Sequence, residues 1–355
     1  MKKGFLVLDS GEVYSGKWEG GKNRAGEVVF NTSHFGYEEM ATDPSYYSQI
    51  LVLTSPMQGN YGAHKEFHES PMLSIEGFIC LEIQNSERES SWLKRLTTSD
   101  IPVLTEIDTR GLVLRLRDKG TPWGALVAAA DPQEAIKISA SLIEAGQKKD
   151  RDWVYAVSRK EIEILQGEKS NGPRVAILDF GTKENIIREL RKRSREVAIF
   201  PSRATALQIQ KWEPTALFLT NGPGDPLEVK QATETIKELL GWRPVFGICM
   251  GHQILARALG LSTFKLKFGH RGGNHPVQDL RSGRVYVTSQ NHGYAVDLGQ
   301  LTSGISPTHI NLNDKTNEGL ECPSKKCQSV QFHPESCPGP NDAREIFDHF
   351  VEWVK

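Results

Sequence analysis

The sequence predicts an α/β protein in two parts, an N-terminal mixed, mostly β domain followed by an open α/β domain with a mainly parallel sheet. Three observations carry this. A chain of 355 residues exceeds what one hydrophobic core usually organises. Its first 130 or so residues hold short apolar runs bounded by Gly, Pro, Asn and Asp, which are strand signatures. After Pro173, continuous apolar runs alternate with amphipathic stretches, the βαβ pattern of a parallel sheet.

In order, strands are expected at Phe5–Leu8, Val28–Phe30, Ile50–Leu53, Ile79–Ile83 and Leu126–Ala130. Asp108-Thr109-Arg110 opens a stretch carrying Leu112, Leu114 and Leu116. Asp131-Pro132-Gln133-Glu134 supplies an N-cap, a first-turn proline and a reach-back glutamate for a helix to about Ala145. The text then turns charged and weakly periodic through Glu168-Lys169-Ser170-Asn171-Gly172-Pro173. This gives an N-terminal domain over 1–150, a linker over 151–172 and a second domain over 173–355.

The second domain opens with a strand at Val175–Phe180, a helix bearing Ile186, Ile187 and Leu190, and a strand at Val197–Phe200. It continues with a strand at Ala216–Leu219, a helix with Val229, Ala232, Ile236 and Leu239 at spacings of three and four, and a strand at Val245–Ile248. A helix with Ile254, Leu255 and Ala258 follows, and Asp342–Val354 closes the chain with Ile346, Phe347, Phe350, Val351 and Val354 on one stripe. Such strands are covered on both faces.

Composition narrows the function classes. Charged residues make up 25% and the formal net charge is −1, so no global field favours nucleic acid or an anionic membrane. Only four apolar residues, Phe5 to Leu8, precede Asp9-Ser10-Gly11, too short a run for a signal peptide. No stretch approaches the roughly 18 apolar residues of a membrane helix. Five cysteines, an odd number, are spread along the chain, so a reduced, cytoplasmic setting is expected.

The sharpest motif is Val245-Phe246-Gly247-Ile248-Cys249-Met250-Gly251-His252-Gln253, a strand running through Gly-x-Cys-x-Gly into a helix. This is the form of a nucleophile elbow with Cys for Ser. The glycines permit a tight turn and close chain approach, and the helix start favours thiolate. The other reading is a buried structural cysteine; two glycines at such a junction favour the nucleophile. Val330-Gln331-Phe332-His333-Pro334-Glu335 offers the base and its orienting carboxylate, because residues two apart on extended chain point the same way. Taken alone, His-Pro-Glu is more often a surface turn, and the elbow gives it its value. The Met250 N–H is the first oxyanion donor, and Asn221-Gly222-Pro223-Gly224-Asp225-Pro226 lies at the strand edge where open α/β sheets bind ligands. Gln290-Asn291-His292-Gly293-Tyr294 is a further polar turn.

Together these motifs resemble the class I (triad) glutamine amidotransferases, whose α/β domain is flavodoxin-like. Phe30-Asn31-Thr32-Ser33, Thr42-Asp43-Pro44-Ser45-Tyr46, Ile107-Asp108-Thr109-Arg110 and Phe268-Gly269-His270-Arg271-Gly272-Gly273-Asn274-His275-Pro276-Val277 are similar to the small, glutamine-hydrolysing chains of carbamoyl-phosphate synthase. The resemblance implies that Cys249 attacks the side-chain amide of L-glutamine, that His333 shuttles the proton and that Glu335 orients His333. It also implies substrate contacts at Ser45, Gly222, Gly224, Met250, Gln253, Asn291, Gly293 and Tyr294, and no metal at the site. Ammonia would pass to a large partner chain that binds ATP and Mg and uses bicarbonate, leading to pyrimidines or arginine; this chain would bind no cofactor, nucleic acid or membrane. It carries no Gly-x-x-x-x-Gly-Lys-Ser/Thr phosphate loop. Met250 stands where the family more often has Leu and Tyr294 where Phe is usual, and 150–172 follows the family poorly.

Two other readings remain open at this point. Cys322, Cys327, His333 and Cys337 have a loose zinc-site spacing, which would make the region a structural zinc module. The triad also suits a stand-alone cysteine hydrolase of γ-glutamyl substrates. Arg188, Arg191, Lys192, Arg193 and Arg195 read as a solvated helix face. His270 and His275 read as structural hydrogen-bonders, or as holding the loop near His333.

Overall fold

The structure is a computed structural model that describes residues 3–86, 91–149, 151–299 and 304–354. It divides into two compact units, Met1–Asp150 and Arg151–Lys355.

The strands of the first unit are β1 (Lys3–Leu8), β2 (Val13–Gly20), β3 (Arg24–Asn31), β4 (Gln49–Leu53), β5 (Met57–Gln58), β6 (Gly77–Ile79), β7 (Glu82–Ile83), β8 (Val103–Thr105) and β9 (Trp123–Ala128). Seven of them close a barrel in the order β1-β2-β8-β6-β4-β3-β9, and β5 pairs with β7. Closure removes sheet edges, and Val29, Leu51, Phe78 and Val103 pack with Tyr37, Met40, Trp92 and Leu96 of the helices Tyr37–Thr42 and Trp92–Thr98 in one core. The single strand expected over 79–83 is broken at Leu81, which is exposed; the chain leaves the barrel there to pair with β5. Helix Pro132–Gln147 starts as the sequence predicts, with Asp131 Oδ1 accepting from Glu134 N at 2.9 Å, but Glu134 reaches back to Ala130 N rather than to the cap. In helix Thr109–Lys119, Leu112 and Leu116 are buried one turn apart while Leu114 faces outward.

The second unit holds β10 (Glu163–Gln166), β11 (Arg174–Asp179), β12 (Glu196–Pro201), β13 (Ala216–Leu219), β14 (Val245–Ile248), β15 (Ser262–Asp279), β16 (Val285–Asp297), β17 (Ser306–Asn311), β18 (Asn317–Cys322) and β19 (Cys327–Val330). They form one sheet in the order β10-β12-β11-β13-β14-β19-β18-β17-β15-β16. The run from β12 to β19 is parallel throughout. Alternate residues feed opposite cores: Ala176, Leu178 and Leu219 pack on one face, Val175, Ile177 and Phe218 on the other. Helix Glu345–Val354 covers the second face, where Phe347 stacks on Phe218 with ring centroids 6.0 Å apart.

Two features depart from the sequence reading. Segment 151–172, expected as a linker, carries helix Trp153–Val157, capped by Asp152, and edge strand β10, which pairs with β12. Leu165 packs on the core while Ile164 is exposed, and charged neighbours mask that alternation. Beyond β19 the sheet continues as four antiparallel strands, β18, β17, β15 and β16. Their polar sequences carry no strong strand signal.

Candidate active site

Strand β14 ends at Ile248 and helix Met250–Ala258 begins one residue later, which leaves Cys249 alone at the junction with φ 54° and ψ −104°. A non-glycine residue held there is strained by about 1–3 kcal/mol, a cost that surrounding contacts must offset. Those contacts are present: Cys249 N donates to Val330 O at 3.0 Å, and Gly251 N donates to Thr220 O at 2.9 Å. The flanking glycines are required by close approach. A Cβ at Gly247 would stand 2.7 Å from Gly251 C, and one at Gly251 would stand 2.3 Å from Leu219 O. Cys249 is buried, and its Sγ donates to the Asn291 carbonyl at 3.7 Å.

His333 follows β19 and is held by its own main chain, N donating to Ser289 O at 2.9 Å. Its Nδ1 lies 2.7 Å from Glu335 Oε1, so the expected pairing of base and carboxylate is present. Among the described residues the buried Nε2 has no hydrogen-bond partner of good geometry, and Cys249 is the neighbour that acts on the ring besides Glu335. Burial pushes the His333 imidazole down, but the Glu335 carboxylate and then Cys249 outweigh it and hold the ring well above its ordinary value. Burial likewise pushes Glu335 up, and the charges of Lys183 and His333 reverse this and hold it below the usual carboxylate range.

Lys183 is a site residue that the sequence reading missed. Its Nζ donates to Glu335 Oε1 at 3.0 Å and to the Ser336 carbonyl, with both charged side chains almost fully buried. Asn185 Nδ2 donates to Glu335 O at 2.5 Å. The turn that launches Lys183 is shaped by Asp179, whose Oδ1 accepts from Gly181 N, Thr182 N and Thr182 Oγ1. The available signal was position: Lys183 sits just beyond the carboxyl end of β11, the edge where parallel sheets build sites.

Of the other predicted residues, Asn291 and Met250 adjoin Cys249. Met250 opens the helix, where first-turn N–H groups lack intrahelical acceptors. Gly222 lies where a Cβ would be 2.2 Å from Phe180 O, and Gly224 has φ +89°. Gln253 Nε2 donates to Tyr294 O at 2.9 Å and to Gln331 Oε1 at 3.0 Å, tying the elbow helix to β16, the strand of Asn291, Gly293 and Tyr294. Ser45 belongs to the first unit, where it is buried in the short turn Pro44–Tyr46 and its N–H donates to Asp43 Oδ1 at 2.9 Å.

The zinc reading does not hold. Among the described residues, the one group of three or more such side chains whose ligand atoms converge is His270, His292 and Glu318. Cys322 and Cys327 instead face each other across the β18–β19 ladder, Cys327 Sγ donating to Cys322 O at 3.8 Å. In the basic run Lys192 and Arg195 are exposed while Arg188, Arg191 and Arg193 are half-buried, Arg193 bonding to Glu189 and Asp348 at 2.6 Å.

Comparison with known proteins agrees with this geometry. The family model described as glutamine amidotransferase class-I matches residues 176–353, and that of the carbamoyl-phosphate synthase small chain, CPSase domain, matches residues 6–126. The carbamoyl phosphate synthase small chain of Clostridium perfringens is 44% identical over 99% of this chain and 99% of its own length. The chain belongs to the carbamoyl-phosphate synthase small-chain family. The small chains of Caldanaerobacter subterraneus subsp. tengcongensis, at 42% identity over 99% of this chain and 96% of theirs, and of Listeria innocua, at 43% over 100% and 97%, are similarly related. Membership over both matched regions explains why the barrel unit accompanies the triad unit. Among the described residues no helix is long and apolar enough to cross a membrane.

Proposed function

We propose that this chain is the glutaminase component of a carbamoyl-phosphate synthase, hydrolysing L-glutamine to glutamate and ammonia through Cys249, His333 and Glu335. The supporting observation is the alignment of His333: Nδ1 is fixed on Glu335 at 2.7 Å while the buried ring also interacts with the elbow cysteine. The Cys249 proton passes to His333 Nε2, where the raised imidazole holds it, and the sulfur attacks the side-chain carbonyl carbon of glutamine as the thiolate. Negative charge develops on the carbonyl oxygen, which the Met250 N–H and an N–H of the 220–224 loop receive. Collapse of this intermediate breaks the C–N bond; His333 gives its proton to the nitrogen, so ammonia leaves and a glutamyl thioester remains. Water then loses a proton to His333 Nε2 and attacks the thioester, and the returning proton restores the Cys249 thiol as glutamate departs.

Ser45, Gly222, Gly224, Met250, Gln253, Asn291, Gly293 and Tyr294 are the proposed glutamine contacts. Ammonia is passed to a large partner chain, which holds the ATP and Mg; this chain needs no metal of its own for the hydrolysis. The setting is cytoplasmic, in keeping with five cysteines, an odd number spread along the chain. The test is glutamate release from glutamine by the purified chain, with and without a carbamoyl-phosphate synthase large chain, against Cys249→Ser. Cys249-dependent release that rises with the large chain supports the reading. A chain inactive even with its partner overturns it, and activity indifferent to the large chain points to a stand-alone hydrolase.

A further inference from the structure

Glu318 lies on β18 with no exposed surface, and the reaction above does not use it. Its carboxylate has partners on three other strands. Oε1 accepts from Asn311 Nδ2 of β17 at 3.0 Å and stands 3.5 Å from His270 Nδ1 of β15, and Oε2 accepts from Gln290 Nε2 of β16 at 3.0 Å.

From Gln290 a row of contacts runs along β16 to the nucleophile. Gln290 Oε1 is 2.9 Å from His292 Nε2, and His292 Nδ1 is 2.7 Å from Tyr294 O. The side chains of Gln290 and His292, two residues apart on one face, bracket Asn291, whose carbonyl accepts from Cys249 Sγ at 3.7 Å. Burial keeps His292 well below its ordinary value, so the ring is neutral and has one N–H for two oxygens, Gln290 Oε1 and Tyr294 O. An ionised carboxylate only accepts, so Glu318 fixes which end of the Gln290 amide faces it and thereby which oxygen His292 serves.

His270, His292 and Glu318 also have the composition of a cation site. Their atoms are already committed: His270 Nε2 meets Asp314 Oδ2 at 2.7 Å, and Asp314 and Glu318 outweigh burial to push His270 up to about 9. A ring protonated on both nitrogens has no lone pair for a metal. The cluster is a hydrogen-bonded brace across four strands.

We propose that Glu318 is a positioning residue for glutamine binding, setting the main chain of 291–294 against Cys249 through Gln290 and His292 without touching substrate. This rests on the reading of that segment as a glutamine contact. The test compares wild type, Glu318→Gln, Gln290→Met and the double variant, each with the large chain, by steady-state glutaminase kinetics, thermal melting and the rate of Cys249 alkylation by iodoacetamide. Loss of one buried hydrogen bond in the row raises KM for glutamine about tenfold in each single variant. The kcat stays within about threefold, alkylation is unchanged, and the double variant is no worse than the worse single, as expected for residues acting in series. Where Glu318→Gln fails to melt cooperatively, Gln290→Met carries the comparison. A folded Glu318→Gln with wild-type KM, a fall in kcat alone, or additive effects in the double variant would overturn the proposal. An inactive wild type would instead sink the underlying reading.

Discussion

Lys183 and Glu335, separated by 152 residues in sequence, meet as a buried ion pair at 3.0 Å, on the same carboxylate oxygen that orients His333. The triad is therefore backed by a fourth charge. Taking the ammonium away strands a buried carboxylate, so Lys183→Met is expected to lose about 3–5 kcal/mol of stability. Glu335 then protonates more readily, and the acid limb of kcat/KM for glutamine moves to higher pH. Urea unfolding and a pH–rate profile read the two effects; an acid limb that superimposes on wild type would show that the pair is merely structural.

The same charges set a pH window for stability. Glu335 is depressed below its unfolded value of 4.5, so its contribution is present above about that pH and fades as pH falls through the folded value. His333 is raised above 6.5, so its contribution is complete below that pH and fades as pH rises through the folded value. The stability gap between wild type and Glu335→Gln is thus expected to be widest between those two values and to shrink on either side. Melting curves across pH check this, and a gap that keeps widening into the alkaline range would contradict it.

How much of this was legible beforehand follows from the range of the interactions. The elbow was readable because strand, glycines, cysteine and helix are contiguous in sequence, and the His333–Glu335 pair because extended chain repeats every two residues. The parallel strands were readable as apolar runs buried on both faces. Lys183 and Glu318 were not, because each is defined by partners brought in from other strands and loops. The strand β2, with sequence VYSGKWEG, and the long strands β15 and β16 alternate too weakly to announce themselves; closure of the barrel and ladder pairing order them. In β15 and β16, register shifts near His270 and His275 further break the period.

Backbone strain at the nucleophile yields a third prediction. Cys249 holds φ 54°, which costs a residue with a Cβ more than it costs glycine. Both Cys249→Ala and Cys249→Gly are expected to abolish glutaminase activity, yet the glycine variant should be the more stable by about 1 kcal/mol. Differential scanning calorimetry of the two inactive variants decides it. The ordinary order, alanine above glycine, would mean that the elbow relaxes and stores no strain.

The elbow's geometry also fixes what its second glycine tolerates. A Cβ at Gly251 would lie 2.3 Å from Leu219 O and 2.7 Å from Leu219 Cβ, in a turn where Gly251 N is already bonded to Thr220 O at 2.9 Å. The obstacle is backbone of β13, which no rotamer change can move aside, so Gly251→Ala must push the helix start away from that strand. That displacement shifts Met250 N–H and Cys249 together relative to the 220–224 loop, and a misplacement of about 1 Å in catalytic groups costs on the order of 100-fold in rate. Gly251→Ala is therefore expected to lose kcat far more than it loses KM if it folds. Gly260→Ala is the control: nothing lies within 4 Å of its Cβ, so its cost is confined to the backbone strain of φ +93° and should spare kcat. Equal kcat in the two variants would show that the close approach of the elbow to β13 has no part in catalysis.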